Sequence, residues 1–389
     1  MNDKKNYNSS GKPYFVKEFS EQFIVKSPGR INLIGEHTDY NNGFVLPTAI
    51  DKTINLSFAG NSSPFTCNVY STTYEKGFSF DLRKISRSQE AWQNYILGVI
   101  SEIQKRGREL KGFDCIIESD LPVGAGISSS AALEGGIAFG LNQLFSLELD
   151  RQTMAELSRN AEHNYVGTKC GIMDQYASML SKKDHLILLD CQSLEAKYVP
   201  AQFSDLKVLL LNTMVSHSLA DSEYNTRRQE CEQVVEKIRH KYPEVSSLRD
   251  VNFSILEALK NELSEVLYKR AHYVLEENDR VLQAVEAVKT GDLEKFGNLM
   301  YASHAGLRDE YEVSCKELDF LVDFSKDFSY IRGARMMGGG FGGCTINLIQ
   351  QDKIEEFISM ASEAYMKKFR IQLEAIPVTP SEGTRIIKE

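Results

Sequence analysis

The chain has 389 residues, 42% of them hydrophobic and 25% charged, with a formal net charge of −9. At roughly 150 residues per domain this allows two or three domains, and the composition excludes collagen-like and linker-like chains. No stretch approaches ~18 consecutive apolar residues, so no membrane span or membrane partner is expected, and the acidic balance argues against non-specific nucleic-acid binding.

In chain order, residues 1–20 read as a polar leader without the apolar core of a signal peptide, gaining order near Tyr14–Phe15. Phe23–Val25 and Ile31–Ile34 are short apolar runs on either side of a turn signal, Ser27-Pro28-Gly29. Asn41-Asn42-Gly43 predicts a tight turn, with strand-like sequence following at Phe44–Leu46, Thr53–Phe58 and Thr66–Tyr70. Trp92–Ile103 has helical spacing, and Phe113–Ser119 alternates like a strand. A long small-residue segment from Ser128 to Phe145 reads as a helix, and a second helix is predicted over Asp150–Asn164 with Asp150 as N-cap. His185–Leu189 and Lys207–Leu211 are runs of buried-strand type. Tyr224–Lys241, Ile255–Glu262 and Tyr273–Lys289 carry helical apolar faces, while Ala334–Met337 and Cys344–Ile349 flank a glycine run as strands. The change from mixed to helical composition places a domain boundary near residue 205, giving domains 1–205 and 206–389. The mix is α+β.

The seven Cys form no CxxC pair, which points to reduced thiols and a cytoplasmic protein. The seven His include no HxxxH or HExxH pair, which argues against a zinc site. The most informative local feature is Gly124-Ala125-Gly126-Ile127-Ser128-Ser129-Ser130, between a strand and a helix. Glycines let backbone approach a ligand, and a helix N-terminus offers unpaired N–H groups and a favourable dipole for phosphate. No GK[ST] follows, so it is not a Walker A loop, and an ordinary N-cap with small packing residues reads the segment too. Gly338–Gly343 contains GxGxxG but leads into strand-like sequence, so a glycine hairpin near a ligand or a plain tight turn fits better than a dinucleotide site.

Arg30 to Asp39 (RINLIGEHTD) sets Arg, Glu, His and Asp within ten positions among apolar neighbours. Carboxylates beside a His suit recognition of several hydroxyls; a charged surface turn is the plainer reading. Asp174 lies in an otherwise small or apolar context, where a desolvated carboxylate can act as a base or cap the following helix. Glu162 precedes it by twelve residues, near a helix end, and Tyr224 starts a charged helix.

Taken together, Ser27–Pro47, Leu121–Leu133, Cys170–Leu180 and Ala334–Leu348 resemble the motifs of the galactokinases within the GHMP kinase family, and Ser222–Glu232 and Ser303–Asp319 fit as well. The resemblance runs from about Phe15 to near the C-terminus; Ile127 stands where Leu is usual. It implies the two-domain GHMP kinase fold: a mixed-sheet N-terminal domain, an α/β C-terminal domain, and an active site in the cleft between them. It also implies ATP and Mg²⁺ as cofactors, and transfer of the γ-phosphoryl to the anomeric hydroxyl of α-D-galactose by a monomer. By resemblance, Asp174 is the base and Arg30 its partner. Glu36, His37, Thr38, Asp39, Gly171 and Tyr224 bind sugar, and Gly124, Ala125, Gly126, Ile127, Ser128, Ser129 and Ser130 cradle phosphates. Ser130 and Glu162 hold Mg²⁺, and Ser71 lies at the nucleotide. A kinase of N-acetylgalactosamine or L-arabinose is the nearest alternative. A non-catalytic galactose and ATP sensor is another, against which the retained Ser130-Ala131 speaks.

Overall fold

A computed structural model describes residues 15–122, 124–201, 203–216 and 220–388. The predicted leader therefore falls largely outside the described residues; Phe15–Glu18 form one helical turn. The first half is built on a six-stranded sheet in the order Arg385–Lys388, Phe23–Asn32, Pro47–Gly60, Phe113–Ser119, Thr66–Ser71, Lys76–Asp81. All pairs are antiparallel except Thr66–Ser71 with Phe113–Ser119, so the sheet is mixed.

The turn expected at Ser27-Pro28-Gly29 is instead the middle of one continuous strand. The register against Pro47–Gly60 slips between Pro28 and Arg30, a bulge that absorbs the proline's missing N–H. A side chain at Gly29 would meet the Ile127 carbonyl at 2.8 Å, and Arg30 N–H donates to that same carbonyl at 3.0 Å. The bulge thus brings the first strand against the loop at 124–130.

The helix Ser129–Phe145 lies on this sheet. It approaches closely because Gly136 and Gly140 face Leu56 and Phe58, where a Cβ would come within 2.4 and 2.1 Å. Arg151–Ala161 packs beside it, with Asp150 capping Thr153 N–H as expected. Its predicted continuation to Asn164 differs: Glu162–Val166 widen into a π-turn, a distortion frequent at functional sites.

The second half carries a four-stranded antiparallel sheet in the order Ile331–Met336, Gly342–Gln350, Leu206–Ser216, Glu374–Val378, covered by helices. Leu293–Asp309, Lys316–Ser325 and Ile354–Phe369 pack on it, and the longer Ala220–Arg239 and Glu265–Thr290 pack on one another beside them. The final strand returns to the first sheet, where Thr384 and Ser27 hydroxyls meet at 2.9 Å. Arg335, fully buried, ties the halves together by donating to the carbonyls of Leu33 (2.8 Å) and Asn32 and to Glu36 Oε1 (3.0 Å). No helix among the described residues is long and apolar enough to cross a membrane.

Leu293–Asp309 sits so close to Ile331–Met336 that a Cβ on Gly297 would lie 1.8 Å from the Arg332 carbonyl oxygen. Backbone cannot give way as a side-chain tip can. Gly297→Ala should therefore lower stability by about 1–3 kcal/mol, read as an earlier midpoint in urea unfolding; an unchanged midpoint would contradict this packing.

Candidate active site

Strand Phe23–Asn32, loop 124–130 and helix Met173–Leu180 converge on one ion pair. Arg30 Nε donates to Asp174 Oδ1 at 2.7 Å and Arg30 Nη2 to Oδ2 at 2.9 Å, while Nη1 donates to the Gly126 carbonyl at 2.7 Å. Arg30 is buried, whereas the Asp174 side chain keeps 26% of its exposure and reaches a cavity of about 650 Å³. Burial lowers the Arg30 pKa, but the carboxylates of Asp174, Glu36 and Asp39 outweigh it and the net shift is upward. Asp174 belongs to the first turn of its helix but serves the guanidinium.

Gly124 and Gly126 have left-handed backbone (φ 76° and 70°), and so does Ser128 (φ 57°). Ala125, between the two exposed glycines, and Ile127, just after them, are buried as anchors. Ser128 does not cap the helix; its hydroxyl donates to Asp174 Oδ2. Ser129 and Ser130 open the helix at the cavity, with the N-terminal N–H groups beside them.

Also on the cavity lining, Glu36 accepts from Asn32 Nδ2 (2.8 Å), Arg335 Nη2 (3.0 Å) and Gly338 N–H (2.8 Å). His37 has left-handed backbone (φ 62°), and its Nδ1 lies 2.8 Å from the Tyr40 hydroxyl. Burial, then the charges of Arg227 and Arg335, pull its pKa down to about 3, so the ring is neutral. Asp39 is pushed up to about 7, first by burial and then by Asp174. Gly171 is the residue on which Asp39 rests: a Cβ there would lie 2.0 Å from Asp39 Oδ2. Tyr224 closes this side, its ring 5.4 Å from His37 and 5.5 Å from Tyr40.

Glu162, at the π-turn, is also pushed up to about 7, by burial and then by Asp174, against hydrogen bonds from Cys170, Gln175 and Ser130. Gln175 Nε2 donates to Glu162 at 2.9 Å and reaches Glu134 at 3.5 Å. Glu134 is fully buried, and burial and then Glu162 push its pKa far up.

The cavity thus gathers Arg30, Glu36, His37, Asp39, Gly124 to Ser130, Glu162, Gly171, Asp174 and Tyr224. Two expected residues stand apart. Thr38 spends its hydroxyl on the carbonyls of Gly35 (2.9 Å) and Phe44 (2.6 Å), locking the turn that carries its neighbours. Ser71 lines an adjoining slot of about 90 Å³ with Tyr74, Trp92 and Tyr95, the first two rings stacked at 5.6 Å. Ser129 and Ser130 border both spaces. Sequence reasoning missed the slot's aromatic residues, Glu134 and Gln175. Trp92 was visible only as a helix start, and Glu134 sits among small residues, where an acid in a buried helix is the available signal.

Comparison with known proteins agrees with this arrangement. Residues 94–182 match the GHMP kinases N terminal domain, 14–59 the galactokinase galactose-binding signature, and 284–367 the GHMP kinases C terminal domain. The chain is 43% identical over 365 residues to a galactokinase of Thermotoga petrophila, covering 93% of this chain and 99% of that one. It is 40% identical to one of Glaesserella parasuis, covering 95% and 96%. The crystal structure of Lactococcus lactis galactokinase complexed with galactose superposes with a TM-score of 0.91 at 33% identity, covering 95% of this chain and 97% of that one. A mevalonate kinase at 19% identity and a TM-score of 0.63 shares the fold. The chain belongs to the galactokinases of the GHMP kinase family.

Proposed function

We propose that this galactokinase transfers the γ-phosphoryl of ATP to the C1 hydroxyl of α-D-galactose, with Asp174 as the base. The observation that carries the reading is the bidentate Arg30–Asp174 pair beside a helix N-terminus, facing a polar wall across one cavity. Asp174 Oδ2 already accepts from Arg30 and Ser128, whereas Oδ1 accepts only from Arg30 Nε among the described residues. Oδ1 therefore keeps lone-pair capacity for the sugar hydroxyl. Arg30 fixes the orientation of the carboxylate, and a carboxylate suffices where proton transfer is late in a loose transition state.

The N–H groups at Ser129 and Ser130 and the exposed glycines at 124 and 126 suit the phosphates. The slot of Tyr74, Trp92 and Ser71, next to that helix start, is apolar and flat enough for the nucleotide base. Glu36, His37, Asp39 and Tyr224 would hold the sugar, on a floor kept open by Gly171. Glu162 and Glu134 share one amide donor and form no ion pair among the described residues, a donor set that fits a divalent cation. Ser130 and Glu162 would hold Mg²⁺, which when bound neutralises and orients the phosphate oxygens. The seven free thiols are consistent with work in the cytoplasm. We place the boundary between the catalytic halves at residue 205, with strand Arg385–Lys388 counted with the first half because it pairs there.

Asp174→Asn should lower kcat by ~10²–10⁴ while galactose binding by calorimetry stays close to wild type, because the amide keeps the shape but cannot take the proton. Near-wild-type turnover would remove Asp174 as the base.

Glu162→Ala and Ser130→Ala should shift the Mg²⁺ titration to higher concentration and leave the galactose KM nearly unchanged. Titrations that superimpose on wild type would take both residues out of the metal site.

Glucose, the C4 epimer, should be used ~10²-fold or more less efficiently than galactose, since a site built around one hydroxyl leaves buried polar groups unpaired when it turns away. Asp39→Ala should weaken galactose use and narrow that gap in kcat/KM. Equal wild-type efficiency on both sugars, or phosphate at C6 by phosphorus NMR, would refute the assignment.

A further inference from the structure

Behind the cavity wall at His37 runs a chain of polar groups for which phosphoryl transfer itself has no use. His37 Nδ1 lies 2.8 Å from the Tyr40 hydroxyl, which lies 2.8 Å from the Tyr311 hydroxyl. The Tyr311 hydroxyl is 3.2 Å from the Cys231 thiol, and Asn41 Nδ2 reaches the same sulfur at 3.7 Å. His37, Asn41, Cys231 and Tyr311 are buried, so these groups must satisfy one another. Tyr40 and Asn41 follow His37 in the chain. Cys231 comes from helix Ala220–Arg239, and Tyr311 from just beyond helix Leu293–Asp309.

The chain has a direction. Asn41 Nδ2 also donates to the His37 carbonyl at 2.9 Å, which fixes the amide with its nitrogen toward the sulfur. An amide nitrogen only donates, so the sulfur accepts there and its S–H is left to donate to Tyr311. Tyr311 then donates to Tyr40, and Tyr40 to His37 Nδ1. The reverse order would have the sulfur accept twice and leave the S–H without an acceptor. A neutral imidazole that accepts at Nδ1 carries its proton on Nε2. His37 Nε2 is buried and makes no hydrogen bond among the described residues.

We propose that Tyr40 and Tyr311 are positioning residues that hold His37 as the Nε2–H tautomer, so that the imidazole presents a donor to one hydroxyl of the sugar. The proposal rests on the sugar site argued above. It assigns His37 a single role, donor, next to the acceptors Glu36 and Asp39, and so makes the wall selective for where a hydroxyl turns its lone pairs.

The test is nitrogen NMR on histidine-labelled protein, sugar-free and saturated with galactose, with His37 identified by its loss in His37→Gln. The wild type should show a protonated Nε2 and a bare Nδ1, and galactose should move Nε2 without changing the tautomer. Tyr40→Phe should shift the Nδ1 signal and raise the galactose KM about 3- to 10-fold, the scale of one neutral hydrogen bond, with kcat within about threefold. Tyr311→Phe should do the same more weakly. Monodeoxygalactoses separate this role from a merely structural one: the analogue lacking the hydroxyl that His37 meets should lose its handicap against galactose in Tyr40→Phe. A wild-type Nδ1–H tautomer overturns the proposal whether or not either variant folds. So does a deoxy-sugar gap in Tyr40→Phe equal to that of the wild type. A turning-over enzyme whose His37 signals ignore galactose overturns the sugar contact beneath it.

Discussion

One guanidinium organises the reaction side of this molecule. Arg30 uses two nitrogens on Asp174 and a third on the Gly126 carbonyl, joining the first strand, the glycine loop and helix Met173–Leu180 at a single point. It can do so because the strand bulges between Pro28 and Arg30, and because Gly29 leaves room for the Ile127 carbonyl. A pair with one partner buried and the other open to a cavity is weak evidence for stability, since the guanidinium has been taken out of water. Its value lies in geometry. The loop and the base are thereby held in one fixed relation.

The charges around that pair do not balance. Glu36 has Arg335 and Asp174 has Arg30, but among the described residues Asp39, Glu134 and Glu162 are packed nearby without an ion-pair partner. Burial heads the causes that raise all three, with Asp39 and Glu162 reaching about 7. Each therefore keeps its proton to a higher pH than an exposed carboxyl does.

Much of this was legible in the sequence, because the galactokinase-type motifs carry backbone requirements as well as side chains. The loop at 124–130 was readable from its glycines, the helix after it from its small residues, and the acid at 174 from its apolar setting. Strand Phe113–Ser119 has the predicted bounds. What escaped was whatever depends on distant chain. Ser27-Pro28-Gly29 reads locally as a turn, and only pairing with Pro47–Gly60 makes it a bulged strand. Thr38 looks like a fourth polar ligand in EHTD until Gly35 and Phe44 claim its hydroxyl. Glu134 and Gln175 meet only when two helices pack, and Tyr311 reaches Tyr40 across 271 positions. Local sequence reports backbone needs and residue types; the partner of a buried polar group is a property of the tertiary fold.

Those long-range partners follow a pattern. Polar connections from the second half into the first half's site include Arg335 and Gly338 to the Glu36 carboxylate, Tyr273 to the Glu36 carbonyl, and Cys231 and Tyr311 through Tyr40 to His37. Among the described hydrogen bonds none runs from the second half to Arg30 or Asp174, whose partners all lie before residue 206. The groups that fix Glu36 and His37 therefore span both halves, while among the described residues the hydrogen bonds of Arg30 and Asp174 are complete within one. Changes at Arg335, Gly338, Tyr273 or Tyr311 can therefore shift Glu36 and His37 without touching the hydrogen bonds of the ion pair. In such a layout the side chains around Glu36 and His37 can change while the Arg30–Asp174 pair stays in place.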